Sequence, residues 1–114
     1  MLAANDFQIS PTKFHNSVHN AASGYFSIAT GSLRAATSVC AHDGSAAAGL
    51  LEAAVQVADI RAPVLLVAFD KPYPFPLSAV RPISDAWAIG LLLGEPSSIG
   101  SLAQLSVSLA DEPV

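Results

Sequence analysis

Charge is scarce in this chain: 12% of its 114 residues are Asp, Glu, Lys or Arg, about half the share of an ordinary soluble domain. Small domains have proportionally more surface and should need more charge. The chain therefore reads like the inside of something larger, or like a subunit that hides much of its surface against a partner. A single cysteine, Cys40, excludes an internal disulfide and agrees with a reducing compartment. Five Lys and Arg against nine Asp and Glu give a net charge of −4. Nucleic acid would call for clustered basic residues, and none occur. There is no basic amphipathic stretch to suit a membrane surface. The apolar runs Ala62–Phe69 and Ala86–Gly94 are too short to span a bilayer. Met1–Ser10 lacks a basic start and carries Asp6, so it is not a secretory signal. The expectation is a cytoplasmic protein. Phosphate cradles, Walker patterns and dinucleotide fingerprints are also missing, and no cofactor is expected.

Apolar residues, in contrast, make up 52% of the chain. An arm, residues 1–13, leads into a helix predicted from Asn16 to about Ala29. Its apolar set is Val18, Ala21, Ala22, Tyr25, Phe26 and Ile28, spaced by three and four. Gly24 weakens that helix by about 1 kcal/mol relative to Ala, and a glycine there often marks close approach by another backbone. Thr30-Gly31-Ser32 is the natural stop. Ala35–Cys40 is small and partly β-branched and reads as a strand. Asp43-Gly44-Ser45 then opens a second helix, Ala46–Ala58, with Asp and Ser at capping positions. Only Glu52 and Gln56 are polar in it, and they share one stripe. A helix apolar nearly all round is a buried helix.

Pro63–Phe69 is a near-continuous apolar run, the pattern of a strand covered on both faces. Asp70–Pro82 holds Pro72, Pro74, Pro76 and Pro82 and reads as a loop of fixed, extended character. Ser84–Gly94 reads as a second buried strand. Leu102–Leu109 alternates apolar and polar, as a half-exposed edge strand does. A strand–helix–strand order with apolar strands implies parallel pairing and a right-handed crossover. The expected class is α/β, as one partial domain over residues 1–114. Two helices cannot cover both faces of a buried sheet, so further layers are expected from elsewhere.

Phe14–Thr30 (FHNSVHNAASGYFSIAT), followed by Arg34–Glu52 (RAATSVCAHDGSAAAGLLE), resembles the stretch of β-ketoacyl synthases that leads into the nucleophile elbow. Ala79–Glu95 (AVRPISDAWAIGLLLGE) is similar to the family's Arg-Pro loop and the strand after it. The resemblance is strongest to the ketosynthase-like branch of chain length factors, some of them in aryl polyene gene clusters. It implies a partial thiolase-like layered fold with a mostly buried sheet and a central buried helix. It implies an interface helix, with Asn16, Asn20, Gly24, Tyr25 and Phe26 as interface residues. It also implies two partners, an active ketosynthase subunit and an acyl carrier protein, in a homo- or hetero-oligomer. In the family the nucleophilic cysteine follows the serine of the Ser-Gly step by about twenty residues, and from Ser23 that interval reaches Asp43, not Cys40. Asp43 is thus the nucleophile-equivalent position. A cysteine at a helix N-terminus would be activated as thiolate, whereas an aspartate there is a poor nucleophile toward a thioester. The family's catalytic His and Asn residues belong to a second half, and His15, His19 and His42 match none of them by position. The amino-terminal strands that precede the interface helix are also missing, so the chain is expected to be a segment or an unusually short relative.

Plainer roles stand beside these. Asp43 suits an ordinary N-cap, and Cys40 a small buried strand residue. His15 and His19 have the i, i+4 spacing of zinc ligands but no third ligand, so no metal is expected. Tyr25, Phe26 and Trp87 suit packing. Arg81 and Asp85 could form a surface pair of little weight. Lys71–Pro76 could be a ligand for an aromatic-groove domain, but a rigid crossover explains it better. The expected function is a non-catalytic, chain length factor-like subunit. The alternatives are a condensing enzyme with Cys40 as nucleophile, in an elbow shifted by three residues, and a self-assembling domain with no acyl chemistry.

Overall fold

The computed structural model describes residues 10–96 and 99–108. The chain falls into two compact units, Met1–Val39 and Cys40–Val114. Residues 1–9 of the expected arm lie outside the described residues.

The first unit holds two short helices, α1 (Pro11–His15) and α2 (Ala21–Thr30). A single helix from Asn16 was expected, and the chain instead turns between the two. Asn16 is the C-cap of α1, and its backbone N–H donates to Phe14 and Thr12 carbonyls. The Ser17 hydroxyl donates to the Phe14 carbonyl at 2.7 Å. Asn and Ser offer the backbone such local partners and so compete with helix continuation. At the other end α2 stops where the sequence predicts, on Gly31 in the left-handed region at φ 64°. The Gly31 N–H donates to Ile28, and the Ser32 N–H to Ser27 at 3.0 Å, a glycine C-cap of the usual kind.

Residues 35–40 form no strand. Their Ala, Thr and Ser side chains bring little apolar surface to bury. Cys40 is exposed, contrary to the buried position expected for it.

In the second unit a 3-10 turn, His42–Gly44, runs directly into α3 (Ser45–Ile60). Strand β1 (Val64–Asp70) follows, then the short helix α4 (Leu77–Val80) and strand β2 (Trp87–Leu93). The strands pair antiparallel, with Val64 opposite Leu93 and Asp70 opposite Trp87. This corrects the expected parallel pairing. Among the described residues no strand precedes α3, so α3 is not a crossover helix between paired strands there, and an antiparallel pair needs none.

Helix α3 lies on one face of this two-stranded sheet. Its buried residues Gly49, Ala53 and Val57 recur every fourth position, one stripe of a helix. Approach is close at Gly49, where a Cβ would stand 3.2 Å from Leu66 Cδ1. The opposite face of α3 remains exposed at Leu51 and Val55. Glu52 and Gln56 do share a stripe, with Gln56 Nε2 donating to Glu52 Oε1 at 2.8 Å. Along β1 the even-numbered residues 64–70 are half-buried and the odd ones exposed. Leu65, Val67 and Phe69 therefore lie on the open face, beside Leu92. The expected burial on both faces is not met, because one helix covers only one face. Residues 102–108 form no strand, since alternation without a partner backbone leaves the ladder unmade. Leu109, the end of that expected strand, lies outside the described residues. The result is a small mixed α/β fragment. No helix among the described residues is long and apolar enough to cross a membrane.

Candidate functional site

The turn before α3 is where the chemistry-bearing side chains gather. Its backbone is fixed by Ser45, whose hydroxyl accepts from the Ala41 N–H at 2.9 Å and donates to the His42 carbonyl at 2.7 Å. His42 takes the left-handed region at φ 52°, which His tolerates better than most residues other than Gly. That conformation turns the chain sharply into the helix. Asp43 follows, but it does not cap α3. The N-cap is Gly44, with no side-chain bond to the helix.

Asp43 is instead held from the side by Arg81, the residue after α4. Arg81 Nη2 donates to Asp43 Oδ1 at 2.5 Å, and Nη1 lies 2.6 Å from His42 Nε2. His42 Nδ1 lies 3.2 Å from Asp43 Oδ2. A guanidinium only donates, so Nε2 must accept and the ring proton must sit on Nδ1, directed at Asp43. The three side chains close a ring of contacts. The Arg81 hydrogen bond and charge, aided by His42, hold the Asp43 carboxyl below its usual range. Asp43 and His42 are both largely exposed, Arg81 less so. A shallow open depression lies here, lined by His42, Asp43, Arg81 and residues 80, 82 and 83. Nearby, the Tyr73 hydroxyl donates to Asp70 Oδ2 at 3.3 Å, which pushes the phenol up from its ordinary value.

Arg81 is the residue that sequence reasoning misplaced. A weak surface pair with Asp85 was open to it from the sequence, and its carboxylate partner is Asp43. Only an aligned fold could bring positions 43 and 81 together.

The arrangement is a sharp turn, with His42 in the left-handed region, that feeds directly into a helix with one buried stripe. Across residues 1–113 the chain matches the family model described as beta-ketoacyl synthase, N-terminal domain. The chain belongs to the β-ketoacyl synthase family. No curated protein and no solved structure gives a significant match. Ketoacyl synthases act in fatty acid and polyketide synthesis, usually with partner subunits and an acyl carrier protein, and membership supports that setting for this chain.

The remaining expected residues lie in the first unit. The Tyr25 hydroxyl donates to Asn16 Oδ1 at 2.7 Å, tying α2 back to the end of α1. Asn20 is the residue before α2. A second shallow depression is lined by His15, Val18, Asn20, Gly24, Tyr25 and Ile28, among others. Tyr25 and Phe26 are each about half exposed, at 51% and 50%. A Cβ on Gly24 would meet nothing within 4 Å. His15 ends α1 and His19 lies in the turn after it. Among the described residues no group of three or more His, Cys, Asp or Glu is placed to hold a metal ion.

Proposed function

We propose that this chain is a non-catalytic ketosynthase-like subunit of the chain length factor kind. It acts with an active ketosynthase on acyl chains carried by an acyl carrier protein, in fatty acid, polyketide or aryl polyene synthesis. The observation that carries the reading is that Asp43, in the turn ahead of α3, is engaged by Arg81 and His42. An ionised, paired carboxylate is a weak nucleophile toward a thioester. His42, the histidine nearest in sequence to Cys40, has both ring nitrogens engaged, one with Asp43 and one with Arg81. Engaged in this way, His42 is not free to serve as a general base for the Cys40 thiol.

The interface role of Asn16, Asn20, Gly24, Tyr25 and Phe26 is part of the same proposal. Tyr25, Phe26 and Ile28 expose apolar surface on one short helix, and Gly24 leaves open space beside them. Aromatic residues with a polar tip are enriched at protein interfaces. The uncovered sheet face at Leu65, Val67, Phe69 and Leu92 agrees with a thiolase-like layering in which further layers close over this unit. One partial domain spanning residues 1–114 remains the proposed organisation.

A second reading, acyl transfer through Cys40, is favoured by one observation, the exposure of its thiol. Reconstitution with an active ketosynthase and acyl carrier protein separates the two. Under the subunit reading, product forms only with the chain present, and Cys40→Ala leaves product yield and chain length unchanged. Loss of product with Cys40→Ala, while assembly persists, would replace it with the enzyme reading.

A further inference from the structure

The ring formed by His42, Asp43 and Arg81 has a property that does not depend on any acyl partner. It closes in one protonation state only. Arg81 can donate to His42 Nε2 across 2.6 Å only while that nitrogen has a free lone pair. His42 Nδ1, 3.2 Å from Asp43 Oδ2, then carries the single ring proton. Take up a second proton, and Nε2 gains an N–H that faces the N–H of Arg81, with two like charges in hydrogen-bond range.

We propose that His42, Asp43 and Arg81 form a proton-sensitive clasp that fastens the elbow turn to the segment after α4 and loosens when His42 is protonated. In the closed clasp Arg81 grips two points, His42 and Asp43. With His42 protonated it keeps only Asp43, for which the imidazolium now competes. The groups facing His42 are few. Asp43 shares its turn, and Arg81 follows α4. Tyr73 and Cys40 sit near enough to register electrostatically with one another, and Tyr73 with Arg81 and Asp70. The first two turns of α3, Ser45–Leu51, carry no titratable side chain. Among the described residues the Arg81 side chain donates to His42 and Asp43 alone.

The clasp joins two backbone segments whose own hydrogen bonds report on it. At the elbow the Gly44 N–H donates to Ala41 at 3.0 Å, and after α4 the Arg81 N–H donates to Leu77 at 2.9 Å. Loosening one hydrogen bond of the clasp should lower local protection of these amides by about two- to tenfold.

The test uses nuclear magnetic resonance on the full chain. Imidazole nitrogen shifts of His42 at about pH 8, where imidazoles are mostly neutral, should show the proton on Nδ1. Protection factors of the Gly44 and Arg81 amides, corrected for intrinsic exchange, should fall about two- to tenfold toward about pH 5. His42→Asn tolerates the left-handed backbone and takes up no proton, so its protection should be flat across that range. Arg81→Gln should be flat and low. A neutral His42 protonated on Nε2 would overturn the clasp without any variant needing to fold. So would wild-type protection that is flat with pH, or a pH response that persists in His42→Asn.

Discussion

Arg81 Nη2 stands 2.5 Å from Asp43 Oδ1, although 38 positions separate the two residues in the chain. The pair joins the turn that opens α3 to the segment that closes the proline-rich loop. It leaves the Asp43 carboxyl satisfied from the side rather than by the helix behind it.

The first prediction concerns that carboxyl. Arg81→Ala removes its strongest partner, so the Asp43 carboxyl should rise toward the ordinary carboxylate value near 3.9. An Asp whose folded value is depressed contributes stability above its unfolded value and loses it as pH falls through the folded one. The difference in urea midpoint between the wild type and Arg81→Ala should therefore narrow as the pH is lowered through the acid range. A side-chain carboxyl titration by nuclear magnetic resonance checks the shift itself.

Gly49 offers a packing test. Its missing Cβ would stand 3.2 Å from Leu66 Cδ1, so Gly49→Ala is tight but tolerable. The gain in helix propensity, about 1 kcal/mol, is offset by a small shift of Leu66. Gly49→Leu has no such escape and should destabilise by about 1–3 kcal/mol. Denaturant unfolding of both variants should rank them in that order.

Gly24 should separate folding from assembly. A Cβ at position 24 meets nothing within 4 Å, and Gly24→Leu improves helix propensity by up to about 1 kcal/mol. The isolated chain should be as stable as the wild type or more so, yet under the proposed function co-purification with an active ketosynthase should be lost. Retained co-purification would remove α2 from the proposed interface.

Tyr73 titrates high because its hydroxyl donates to Asp70. Its hydrogen bond supports the fold below the unfolded phenol value near 10 and is lost as pH rises through the higher folded value. Asp70→Asn should bring the phenol back down toward the ordinary value, read by tyrosinate absorbance against Tyr73→Phe.

Much of this fold was legible where local chemistry decides. The stop at Gly31 needs only a left-handed C-cap, and α3 announces itself through small helix formers. The two apolar runs did become β1 and β2. Three features were hidden because they depend on partners far along the chain. Residues 35–40 had strand composition but no ladder to join. Pairing of β1 with β2 is antiparallel, and among the described residues no strand before α3 joins them, which periodicity cannot reveal. Asp43 read as an N-cap from its place ahead of a helix, and the competing partner at Arg81 was invisible in that local window. At the site, the turn ahead of α3 was legible from Asp43-Gly44-Ser45, but the ring of His42, Asp43 and Arg81 was not.

The most direct test of the central claim is intact-mass spectrometry after incubation with an acyl-carrier thioester, run beside a thiol-directed probe. Cys40 is exposed, so the probe should label it readily, while the thioester should leave the mass unchanged. A stoichiometric acyl adduct on Cys40 would contradict the non-catalytic account and make this chain an enzyme.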